Sequence, residues 1–309
     1  MSLAEPDSKL TSEIEALLDR VRPKANSLIV TVFGDAIMPR GGRIWLSDLV
    51  ALMGVLGLSE RLVRTGVYRL SQDGWLTSQS VGRRAQYSLS EDGFAQFMAA
   101  GKRIYSTALP RSADTWTLVQ GIPDMSQAER QNLRRRLRWH GFGQISTTLM
   151  ASPGPEPDGL AGDLQSDGLD RKVLVFQAKL TGEHGRGTMK GAAASAWPLE
   201  ELNGEYAKFI SLFEPLDEGG LNTLPPHAAF ALRVLLIHEY RRILLKDPHL
   251  PEDLLPEQWT AAAALSLSAK IYRQVAEKSD GFVARQMADE SSEPPALAED
   301  YWQRFGGLR

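Results

Sequence analysis

The stretch LSERLVRTGVYRLSQDGW, residues 58–75, decides how the N-terminal part of the chain is read. Ser59 follows Gly57 and Leu58 and stands where a helix N-cap belongs, because its hydroxyl can accept from a free N–H of the first turn. Leu62, Val63, Gly66, Val67 and Leu70 recur at helical period and give an apolar face. The opposite face carries Arg61, Arg64, Thr65 and Tyr68, with Arg69 beside them. Gly66 inside this helix costs about 1 kcal/mol against alanine, a cost that points to close packing by a neighbouring helix.

Just upstream, SDLVALMGVLG (residues 47–57) has helical spacing, with Ser47 as its expected N-cap and Gly57 as its terminator. A helix, a tight glycine turn and a second helix with basic and hydroxyl residues outward is the layout of a helix-turn-helix. Its second helix enters the major groove of DNA, where arginine bridges guanine edges or phosphates. Downstream, WLTSQS and AQYSLS alternate in polarity and meet at Val81-Gly82-Arg83-Arg84, a hairpin with two arginines near its tip. Such a tip reaches phosphate or the narrow minor groove. The expected element is a winged helix-turn-helix that contacts DNA through Ser59, Arg61, Arg64, Thr65, Tyr68, Arg69, Arg83 and Arg84. Ser90-Glu91-Asp92 then opens a helix whose Phe94, Phe97, Met98 and Ile104 suit packing.

The chain has 309 residues, too many for one ordinary core. It contains no cysteine, which excludes disulfides, thiolate metal sites and cysteine nucleophiles and fits a reducing cytoplasm. MSLAEPDSKL lacks the basic-then-apolar order of a signal peptide, and no apolar run approaches the ~20 residues of a membrane span. A cytoplasmic protein with no membrane partner is expected. Net charge is −3, so attraction to nucleic acid has to come from local patches.

Residues 27–76 and GRRAQYSLSEDG (82–93) resemble the N-terminal winged-helix domain of PaaX-type transcriptional repressors of phenylacetic acid degradation. WTLVQGIPDMSQAERQNLRRRLRWHGFGQISTTLMASP is similar to their middle domain. LPPHAAFALRVLLIHEYRRILLKDPHLPEDLLPEQW resembles their C-terminal signature, with HEYRR and DPHLPEDLLPEQW its most specific parts. The likeness runs from about residue 10 to 285, and it departs from the family at Gly66, where alanine is usual after Val-Arg-Thr.

Read by itself, the middle part has strand TWTLVQGI, helix SQAERQNLRRRLRWHG, strand QISTTLMAS, a Pro, Gly and Asp loop and strand KVLVFQAKL, which together point to a ferredoxin-like α+β unit. The resemblance agrees and implies a likeness to CRISPR-associated ferredoxin-like ribonucleases. Asp124 is then the one candidate metal-holding residue, although a lone Asp before Ser126 reads better as a cap. Arg134, Arg135, Arg136 and Arg138 spread around their helix and are expected to be solvated or paired with Glu129 and similar acids. GEHGRGTMKGAAAS (182–195) is Gly-rich without a phosphate-binding order and reads as a linker. Three amphipathic helical segments follow.

The expected fold class is α+β multidomain: a winged helix-turn-helix over 10–107, a ferredoxin-like domain over 112–185 and an all-α C-terminal domain over 195–290 for effector binding or dimerisation. The spacing of His238 and His249 completes no zinc site, and no serine elbow accompanies His238-Glu239, so neither a metal nor catalysis is expected. The resemblance implies release by phenylacetyl-coenzyme A, with no cofactor. Arg241, Arg242 and Lys246 would meet its phosphates beside His238, and Trp197 and Trp259 would line an apolar pocket. The expected partners are operator DNA, an acyl-coenzyme A effector and a second copy of the chain in a homodimer. Two alternatives stay open: a metal-dependent RNA nuclease acting through the middle domain, and a non-catalytic protein-interaction scaffold.

Overall fold

The chain opens with helices α1 (Pro6–Val21) and α2 (Ala25–Val32) in a computed structural model that describes residues 6–82, 84–107, 115–217, 220–288 and 295–308. After α2 the backbone widens into a π-turn (Phe33–Ile37) and closes in a 3-10 turn (Met38–Arg40) ended by Gly41 at φ 89°. Then come β1 (Arg43–Trp45), α3 (Leu46–Val55), α4 (Glu60–Gln72), β2 (Leu76–Val81), β3 (Arg84–Leu89) and α5 (Glu91–Ile104). The strands form an antiparallel sheet in the order β1-β3-β2.

Helix α3 begins two residues earlier than a Ser47 cap predicts, with Trp45 as its N-cap. It stops as its sequence demands. Gly57 takes φ 77°, its N–H donates to Gly54 O at 3.0 Å, and Leu58 N–H donates to Met53 O at 3.1 Å. This is a Schellman ending, and it frees Ser59 to start α4.

The next part runs β4 (Thr115–Gly121), α6 (Gln127–Trp139), β5 (Gly143–Gln144), β6 (Leu149–Pro153), α7 (Leu160–Ser166), β7 (Val173–Lys179) and α8 (Gly182–Ala196). Its antiparallel sheet has the order β5-β6-β4-β7. A β-α-β-β-α-β chain with its first strand inside the sheet and its last on the edge is a ferredoxin-like split βαβ unit. Val119, Leu133, Leu137, Met150, Leu160 and Leu164 fill the side covered by α6 and α7. Ser126 and Glu129 form a capping box at the start of α6, and the Lys172 ammonium with Ser126 holds the Glu129 carboxyl down to about 2. Arg136 turns instead to Asp167, bidentately at 2.8 and 2.9 Å.

The Gly-rich stretch expected as a linker is helix α8. Met189 and Ala193 sink from it into a cluster with Trp116, Trp197, Leu199, Leu250 and Leu254, so burial overrides the glycines' weak helix propensity. The last helices are α9 (Leu199–Asp217), α10 (Pro226–Leu244) and α11 (Ala261–Met287), followed by a 3-10 segment (Glu299–Gly306). Two units emerge that interleave along the chain. One holds α1 through α5, α9 from Tyr206, α10, and α11 from Ala262 with the C-terminal segment; the other holds β4 through α8, α9 up to Glu205, and Lys246–Ala261. The three successive domains read from texture follow chain order, whereas the spatial grouping sets α10 and α11 beside the N-terminal helices.

Helix α10 is buried nearly all round and packs against α1, α2, α3 and α5. At its middle lies Arg233, which has no solvent exposure. Its Nε donates to Asp35 Oδ2 at 2.7 Å, its Nη1 to Asp280 Oδ1 at 2.8 Å and its Nη2 to the Asp35 carbonyl at 2.9 Å. Tyr105 and Tyr272 donate to Asp35 Oδ1 at 2.7 and 2.9 Å, and Arg304 bonds Asp35 as well. Burial opposes charge on Arg233, but Asp35, Tyr272, Tyr301 and Asp280 together hold its proton well above the ordinary range.

Removing Arg233 takes from Asp35 and Asp280 the fully buried guanidinium they share, so Arg233→Met is expected to lower unfolding free energy by about 3–5 kcal/mol. Adding Asp35→Asn and Asp280→Asn should restore little of it, because Arg304 and Arg40 then lose the carboxylates they pair with. Urea denaturation of the single and triple variants measures both.

Candidate nucleic-acid interface

Helix α4 is seated by its inner stripe. Val63, Gly66, Val67 and Leu70 are buried at i, i+3, i+4 and i+7, and the Ser59 side chain accepts from Leu62 N at 3.5 Å. A Cβ on Gly66 would come within 2.5 Å of Ile29 Cδ1 and 3.2 Å of Asn26 Oδ1, both on α2. The absent side chain is what lets the two helices touch.

The outer face is open to solvent. Arg61, Arg64, Thr65, Tyr68 and Arg69 are all exposed, Tyr68 at 63%. Leu62, expected on the apolar face, stands among them at 49% exposure, because the buried stripe begins one residue later at Val63. Arg64 lies on Glu60 one turn back at 2.7 Å, an exposed i,i+4 pair of a few tenths of a kcal/mol that a phosphate or base edge can displace. Thr65 Oγ1 donates to Arg61 O at 2.9 Å.

The hairpin pairs without interruption from Leu76↔Leu89 to Val81↔Arg84. Arg83 lies outside the described residues. Arg84 is engaged within the protein: its guanidinium sits 4.3 Å from the centre of the Trp45 ring and 3.9 Å from Asp48. Sequence spacing gave no hint of that stack, since α3, α4 and β2 lie between Trp45 and Arg84.

The residues grouped for an effector separate. His238 and Arg241 are brought together in the first unit over α2: Thr31 Oγ1 lies 3.0 Å from His238 Nδ1 and accepts from Arg241 Nε at 2.9 Å, while Arg241 Nη2 reaches Ser27 O at 2.8 Å. Both are thus braces between α10 and α2. Arg242 pairs with Glu239 at 3.2 Å. Lys246, Trp197 and Trp259 belong to the second unit. There Lys246 pairs with Glu205 at 2.8 Å, Trp197 donates to Gly141 O at 3.0 Å, and Trp259 packs on the same cluster as Trp197.

A cavity of about 410 Å³ was not foreseen; Arg20, Arg22, Lys24, Lys208 and Arg242 line it, and the run RVRPK at residues 20–24 was its visible signal. Asp124 is exposed in the turn before α6, and the cap is Ser126. Among the described residues no group of three or more histidine or carboxylate side chains converges as a metal site, and no helix is long and apolar enough to cross a membrane.

Three family models match the chain: PaaX-like protein over residues 24–93, the PaaX protein central Cas2-like domain over 110–189, and the PaaX-like protein C-terminal domain over 197–285. The chain is 37% identical over 306 residues to the transcriptional repressor PaaX of Escherichia coli (strain K12), covering 97% of this chain and 96% of that one. Among solved structures it is similar to the uncharacterized protein Rv0674 from Mycobacterium tuberculosis, with TM-score 0.46, 21% identity, and coverage of 76% of this chain and 89% of the other.

Burial first, then the charges of Arg241 and Arg242, press His238 from its ordinary 6.5 down to about 3. The unfolded chain therefore takes up this proton near 6.5 while the folded chain stays neutral, so stability falls as pH drops through that window. Between pH 7 and pH 5 the loss is about 2 kcal/mol. Urea unfolding at the two pH values measures it, and His238→Gln should remove that share of the dependence.

Proposed function

The chain belongs to the PaaX family of transcriptional repressors, and from that premise we propose that it represses phenylacetate catabolism genes by setting α4 in the major groove of an operator. The observation that carries the reading is the outer face of α4, where arginine, threonine and tyrosine stand open to solvent on a helix fixed from beneath. In this reading β1, β2 and β3 are the sheet of a winged helix and the β2–β3 hairpin lies along the backbone. Leu62 adds an apolar contact at the centre of the face, suited to a thymine methyl.

A homodimer would place two copies of α4 about 34 Å apart, one helical turn of DNA, which matches a palindromic operator. Phenylacetyl-coenzyme A would release the complex by binding more tightly to the DNA-free arrangement, and only that difference in affinity shifts occupancy. A repressor of this kind works beside the chromosome, so we place it in the cytoplasm, and its task requires no catalysis.

Fluorescence anisotropy with operator and with scrambled duplex tests this. Arg64→Ala should weaken operator binding by about 1–3 kcal/mol and narrow the gap to scrambled DNA. Equal losses on both duplexes would reduce Arg64 to a backbone contact, and salt-independent or absent DNA binding by the parent chain would favour a protein-docking role.

A further inference from the structure

We propose that the cavity at the α1–α2 turn binds a small molecule carrying at least two phosphate groups, and that its occupancy is felt by α4. Its role as an effector site rests on the regulated-repressor reading above. Five cationic side chains, Arg20, Arg22, Lys24, Lys208 and Arg242, line it beside a single carboxylate, Glu239, in a chain whose net charge is −3. Like charges gathered around a concavity repel one another, and a polyanion is the occupant that relieves this.

The local backbone holds the cations in place. Arg22 ends α1 in the left-handed region at φ 43°, its N–H donating to Leu18 O at 2.9 Å, and Pro23 fixes the next step. Lys24 then stands at the N-cap of α2, a helix start with no side-chain cap. Its first N–H groups add to the same positive field.

Shape separates a small ligand from DNA. The space is a pocket of about 410 Å³, within the range of small-molecule sites, and its wall includes the buried imidazole of His238. A duplex backbone is a convex rod that follows a stripe of charge over a surface. A diphosphate held between Lys24 and Lys208 would bridge α2 to α9, with Arg242 reaching in from α10.

Helix α2 carries the consequence. Lys24 and Ser27 face the cavity, and Ser27 and Thr31 are bonded to Arg241 of α10. Asn26 and Ile29, on the same two turns, are the groups pressed against Gly66 of α4. A contact that tight transmits a shift of α2 directly into the outer face of α4.

The test uses the full chain and the Lys24→Glu/Lys208→Glu variant, in which both altered side chains are exposed. Inorganic tripolyphosphate probes the cavity, phenylacetyl-coenzyme A probes the effector reading, and calorimetry with operator anisotropy reads both. The parent chain should bind tripolyphosphate saturably at one site, and the variant about tenfold or more weakly, with operator affinity in the absence of ligand kept within about twofold. Unchanged tripolyphosphate binding, or none by the parent chain, overturns the inference. So does a matching fall in operator affinity, which would assign the cations to DNA. If the parent chain binds tripolyphosphate through these lysines yet ignores the ester, the anion site stands and the effector reading falls. If the ester releases DNA equally well from both proteins, the effector reading stands and the cavity is not its site.

Discussion

A guanidinium cut off from water is tolerable only where fixed anions surround it, and Arg233 meets that condition with two carboxylates drawn from opposite ends of the chain. Arginine suits the place because its planar fork donates along several directions at once, to Asp35, to Asp280 and to a backbone carbonyl. Tyr272 lies beneath the fork with its ring centre 4.9 Å away, and Arg304 lies over Tyr105 at 3.8 Å. Apolar contacts alone would let α2, α10 and α11 slide past one another in several near-equivalent registers. A directional network of buried charge admits one.

The network also explains the break in regular geometry after α2. In an α-helix the Asp35 carbonyl would accept from the residue four on, which is Pro39 and has no N–H. The π-turn leaves that carbonyl to Arg233 and Arg304, and the Gly34 carbonyl accepts from Arg304 as well. About two turns earlier, α2 supplies Ile29 and Asn26 to Gly66, so the position of the exposed arginines on α4 descends in two steps from a charge buried in the core.

Local signals in the sequence were legible. The Ser59 cap, the inner stripe of α4, the β2–β3 hairpin, the Ser90 cap and the helix at 127–139 are each written within one turn or one pair of strands. What could not be read there is set by partners far off in the chain. Helix α8 forms from four glycines' worth of weak propensity because Met189 and Ala193 have a cluster to enter. Helix α7 was hidden in a loop rich in turn formers for the same reason, its Leu160 and Leu164 buried under the sheet. Of the candidate site, the α4 face was visible except for Leu62, whereas the bracing role of His238 and Arg241 and the stack of Arg84 on Trp45 depend on tertiary neighbours. Arg233 itself left a trace: one charge inside the apolar run AAFALRVLLI.

The distance along the chain between Asp35 and its partners has a bearing on how the protein is made. Arg233 follows Asp35 by 198 residues and Arg304 by 269. At a synthesis rate of about 5–20 residues per second, Asp35 is added to the chain roughly 10–40 s before the first of those arginines exists. Over that interval the acidic side chain must stay hydrated and α2 has no α10 to lie on. The helices around Asp35 are thus translated early and finished late, and a chain cut short on the ribosome releases them without their keystone.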